Sequence, residues 1–68
     1  MNSDAHIVYV VLYHEGDREF KFFFETEEEA RDWQHVLEHF FGAESDDVTI
    51  LERTVDLVYG DILGEHII

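Results

Sequence analysis

Sixty-eight residues make one domain with a marginal core, because a chain this short buries only about 60% of the surface it exposes when unfolded. The chain has no cysteine, which excludes a disulfide scaffold and any thiolate metal site. Seventeen Asp and Glu against four Lys and Arg give a formal charge of −13, which disfavours direct contact with nucleic acid or an anionic membrane.

Despite the acid, 46% of the residues are hydrophobic, and six Phe, three Tyr and one Trp supply large apolar areas. That content argues against disorder. No apolar run reaches the ~18 residues a membrane helix requires. Met1-Asn2-Ser3-Asp4 lacks the basic start of a signal peptide, so a cytoplasmic protein is expected.

His6 to Tyr13 is β-branched and aromatic throughout, as in a strand covered on both faces. His14 to Arg18 reads as a turn, with Gly16 able to supply a positive φ. Glu19 to Glu25 alternates, with Phe20, Phe22 and Phe24 on one face and Glu19, Lys21, Phe23 and Glu25 on the other. This is a half-buried strand paired to the first as a hairpin. Thr26 opens a helix: its hydroxyl can accept the Glu29 amide while the Glu29 side chain reaches back. Glu27, Glu28 and Glu29 complement the helix dipole. Ala30, Trp33, Val36, Leu37, Phe40 and Phe41 share one side at helical spacing, and Gly42 supplies the stop. Glu28, Arg31, Asp32, His35, Glu38 and His39 lie opposite.

Glu44-Ser45-Asp46-Asp47 is an acidic loop. Val48 to Tyr59 follows as one long, bulged strand or two short ones, with Leu51, Val55, Leu57 and Tyr59 sharing a parity. Gly60 to Ile68 fits either a short helical turn or an edge segment. The reading is an α+β domain: three or four antiparallel strands, order 2-1-3, with one amphipathic helix on one face (ββαβ). A right-handed crossover leaves room for the first strand between the second and third. Val8, Val10, Leu12, Phe23 and Val58 then stay on the open face, to be covered by the Ile62–Ile68 tail or a second subunit.

Little of this resembles catalytic machinery. His35-Val36-Leu37-Glu38-His39 matches the H-x-x-E-H pattern of inverzincin metallopeptidases. A working zinc site needs a third protein ligand and a shielded cavity, so His35 and His39 are at most a weak adventitious pair. The 44–47 loop lacks the spacing of a calcium loop. Ser3 and Ser45, the only serines, sit in a terminus and a loop, with no nucleophile elbow around them. Neither an enzyme nor a cofactor is expected.

The acid itself is the candidate binding feature: Glu15, Asp17, Glu28, Asp32, Glu44, Asp46, Asp47 and Asp56. Carboxylates one helical turn apart lie ~5–6 Å from each other, so several on a rigid surface can imitate a row of phosphates. Arg31 and two histidines interrupt the outer helix face, whereas the hairpin turn and the 44–47 loop are purer. Excess acid also serves solubility, and halophilic adaptation enriches it. Adaptation of that kind should thin out bulky apolar residues, which are abundant here.

In size, charge and its aromatic-rich ββα start (Ile7–Phe24, Thr26–Gly42), the chain resembles the small acidic phage-encoded anti-CRISPR proteins that mimic DNA against type I complexes. The resemblance implies a phage or mobile-element protein acting in a bacterial cytoplasm. Its partner would be a basic nucleic-acid-binding protein such as a CRISPR surveillance complex subunit. The alternative is a protein-interaction module or homodimer working through the apolar sheet face.

Overall fold

The structure, a computed structural model, describes residues 5–68. The readings made above for Met1–Asp4, including Ser3, lie outside them. Strand β1 spans Ala5–Glu15, β2 Arg18–Phe24, helix α1 Glu27–Phe40, β3 Val48–Asp56 and β4 Ile62–Ile67, with a 3₁₀ turn at Ser45–Asp47 before β3. They form an α+β fold in which one four-stranded antiparallel sheet, order β2-β1-β3-β4, carries the helix on one face. β2 and β3 each run antiparallel to β1, so the helix connects two parallel strands across the central one, as the crossover argument expects.

Local chemistry accounts for the boundaries. Glu15 faces Arg18 across a two-residue loop, and Gly16 takes φ 63° as its first residue, the pattern of a type II′ hairpin turn. Thr26 caps the helix: its hydroxyl accepts the Glu29 amide at 3.2 Å and donates to the Glu29 carboxylate. At the other end the Ala43 amide returns to the Leu37 carbonyl at 3.0 Å across Gly42, closing the last turn.

The core lies between helix and sheet. Val11, Tyr13, Val48 and Ile50 from the sheet meet Ala30 and Leu37 from the helix, with Tyr9, Phe22, Phe24, Trp33 and Ala43 packed around them. Phe22 and Trp33 meet edge to face at 5.1 Å. The opposite sheet face has its own apolar row. The register aligns Phe23, Val10, Leu51 and Ile67 across all four strands. Val10 and Leu51 are buried at the middle of that row, while Phe23 and Ile67 at its ends stay 58% and 69% exposed.

The chain departs from the sequence reading in three places. The tail is the edge segment offered as one alternative, a fourth strand beside β3, but it extends the open face and does not cover it. Strand β3 ends at Asp56, whose carboxylate accepts the amides of Val58 and Tyr59 and turns the chain. Leu57, Val58 and Tyr59 therefore sit exposed in the β3–β4 turn, and Val58 has no place on the sheet face. The irregularity in this region falls between Thr54 and Val55, where pairing with β4 shifts register. Finally, Phe40 and Phe41 have the right periodicity for the core but are exposed, and Leu37 is the last buried residue of α1.

Leu37→Ala, at a buried helix–sheet contact, is expected to cost about 2–5 kcal/mol, a large share of the stability of a domain this size. Phe40→Ser, at a position fully in solvent, should stay within about 0.5 kcal/mol. Urea unfolding at fixed ionic strength measures both.

Candidate functional site

β1 pairs on one side with β2 through the hairpin turn and on the other with the start of β3. Val48 faces Tyr13, so the 44–47 loop that leads into β3 arrives beside the hairpin turn. Helix α1 leaves from the far end of β2 and also finishes here, at Phe41. The topology thus collects the acids of two separate turns at one end of the sheet. Glu15, Asp17 and Glu19 come from the hairpin, and Glu44, Asp46 and Asp47 from the loop.

The loop is held in shape by its own acids. The Glu44 and Asp47 side chains each accept a backbone amide from the other residue's end of the 3₁₀ turn. The Tyr13 hydroxyl donates to Glu15 Oε2 at 3.1 Å, fixing that carboxylate against the sheet. Burial pushes the Tyr13 phenol above its ordinary value of 10.0, and the hydrogen bond to Glu15 and the charges of Glu15 and Asp47 push it further. One phenol therefore senses both turns. Arg18 is the one Lys or Arg in the hairpin turn, and the His14 Nε2 lies 3.3 Å from Glu19.

The other candidates lie elsewhere. Glu28 and Asp32 are exposed on the helix, whose first turn lies toward the far end of the sheet, beside Glu27 paired to Arg31 at 2.7 Å. Asp56 sits opposite Ala5, also at the far end, where its carboxylate holds the β3–β4 turn. The sheet's far half has a second carboxylate network: the Tyr9 hydroxyl donates to Glu52 at 3.2 Å, and His66 approaches the same residue at 3.3 Å. Burial, then Glu52, raises the Tyr9 phenol as well. His35 and His39 stack ring on ring at 5.5 Å. No group of three or more His, Asp or Glu side chains among the described residues is placed to hold a metal ion.

Sequence reasoning missed a groove beside the acidic end. Between the helix C-terminus and the hairpin lies a cavity of about 200 Å³, lined by Tyr13, Phe20, Phe22, Trp33, Leu37, Phe41 and Glu15. Phe41 stands across this gap from the strands and does not close on them, which explains its 61% exposure. Tyr13 and Phe20 stack at 6.0 Å along one wall. The Trp33 indole nitrogen is buried without an acceptor, an uncompensated loss of hydration within the packing around the groove. The periodicity of Phe40 and Phe41 pointed to apolar surface at the helix end but carried no sign that it would remain open.

No family model matches the chain, and no curated protein or solved structure shows significant similarity to it.

Proposed function

We propose that this protein is a small acidic inhibitor that occupies a basic nucleic-acid-binding surface of a bacterial defence complex by imitating DNA. The observation that carries the reading is the meeting of two acid-rich turns at one end of a rigid sheet, with Arg18 as the only Lys or Arg in either turn. Neighbouring strands lie ~4.8 Å apart, so carboxylates carried at their ends form a fixed array of closely spaced negative charge. A protein shaped to grip duplex phosphates, about one charge per 1.7 Å of axis, meets in that array the charge it is built for. On this reading the site works by occupancy. The resemblance in size, charge and ββα order to DNA-mimicking anti-CRISPR proteins supports a type I surveillance complex as target, in the host bacterial cytoplasm.

The test is a competition gel shift, with the protein added to a preformed type I surveillance complex and its target duplex. The duplex should be released at low salt and less so as salt rises from roughly 50 to 200 mM. Asp46→Lys with Asp47→Lys, or Glu15→Lys with Asp17→Lys, should weaken release about tenfold or more, and Glu28→Lys with Asp32→Lys much less. Unchanged release after reversals at the acidic end contradicts the proposal.

A second reading, that the chain is a homodimer or interaction module working through its open sheet face, is favoured by the Phe23-Val10-Leu51-Ile67 row. Charge is partly offset around that row: Lys21 and Arg53 stand among Glu19, Glu65 and, by the alternation of the β2 segment, Glu25, and Arg53 bonds Glu65 at 2.6 Å. Two copies can therefore meet there with less repulsion than their total charge would produce elsewhere. Sedimentation should show a dimer that Phe23→Asp with Ile67→Asp converts to a folded monomer; a monomeric parent protein contradicts the homodimer.

A further inference from the structure

We infer that the groove between the helix C-terminus and the hairpin receives an arginine side chain of a basic partner protein. The inference rests on the acidic-inhibitor reading and names the contact that would anchor it. Size is the first argument. At about 200 Å³ the cavity is smaller than the ~300–1,000 Å³ of small-molecule sites, and it suits a single inserted side chain.

Chemistry supplies the second. Five of the lining residues are aromatic, and ring faces attract cations. Glu15 is the one charged residue of the lining, and its carboxylate is held in place by the Tyr13 hydroxyl at 3.1 Å. Phe41 caps the C-terminus of α1, so the negative end of the helix dipole lies on the same side. Asp47, next to the strand partner of Tyr13, adds a further negative charge nearby. An anion is repelled by every one of these features, and a neutral apolar group would shield Glu15 from water while leaving its charge only the Tyr13 hydroxyl as partner.

Arginine fits better than lysine. Its planar guanidinium stacks on aromatic rings while donating to a carboxylate, and it is more weakly hydrated than an ammonium. Its methylene stem can cover Phe41 and Phe20, which stand 61% and 37% exposed in the unfilled groove.

Trp33 is the only tryptophan of the chain and lines the groove, so its fluorescence reports occupancy. The experiment titrates the protein at low salt with octa-arginine and, separately, with octa-lysine. Octa-arginine should shift Trp33 emission and bind about fivefold tighter than octa-lysine. Phe41→Ala with Glu15→Gln, both at exposed positions, should remove the preference and the emission shift while circular dichroism stays unchanged. Equal affinities with unmoved Trp33 emission overturn the groove assignment but leave the acidic end standing. If neither peptide binds, the acidic-end reading falls as well.

Discussion

Strand β1 is hydrogen-bonded on both sides, and the burial of Val11 and Tyr13 beneath Ala30 and Leu37 is the contact on which the rest of the molecule depends. The helix can cover only one face of the sheet, so that contact also decides what stays open. On the covered face Phe22, Phe24 and Trp33 complete the core. On the other, Val10 and Leu51 are sheltered mainly by their neighbours in the sheet, and the row they belong to ends in exposed Phe23 and Ile67. The same arrangement brings the hairpin turn, the 44–47 loop and the end of α1 together. A formal charge of −13 opposes folding through self-repulsion, and keeping the acid on solvated turns, away from the buried strands, avoids adding a desolvation cost to it.

The surface is thereby divided. One end is acidic, with an aromatic groove at its side; the open sheet face is apolar, with its charge partly offset. These surfaces suit different partners. Carboxylates on turns pinned by Tyr13 and by the Glu44–Asp47 cap lose little freedom when a basic protein meets them, which favours binding through preorganisation. The apolar row suits a flat hydrophobic partner, a second copy included.

Much of the fold was legible because local and tertiary signals agreed. The Thr26–Glu29 box, the alternation of Phe20, Phe22 and Phe24, and the apolar run of β1 each named an element that exists. The order 2-1-3 followed from a crossover between parallel strands with room for one strand between them, and from the apolar pattern that suits β1 to the centre. What failed depended on competition between signals. The shared parity of Leu51, Val55, Leu57 and Tyr59 suggested a strand running on to Tyr59, yet the Asp56 carboxylate captures the Val58 and Tyr59 amides and ends it. Asp56 four residues before Gly60 was the available sign of that turn, and parity outweighed it. Phe40 and Phe41 obeyed the helical period, but whether a periodic residue is buried depends on how far the sheet extends beneath it. Periodicity carries no such information. Of the candidate acids, chain order alone could not show that Glu15, Asp17, Glu44, Asp46 and Asp47 meet, nor that Glu28, Asp32 and Asp56 stand apart. That followed only from the pairing of Tyr13 with Val48.

The most direct test of the central claim is amide chemical-shift mapping of the ¹⁵N-labelled protein as the DNA-binding subunit of a type I surveillance complex is added. Perturbations should concentrate in the hairpin turn, the end of α1 and the 44–47 loop, together with the Trp33 indole signal. Shifts confined to Phe23, Val10, Leu51 and Ile67, with the acidic end silent, would contradict that claim.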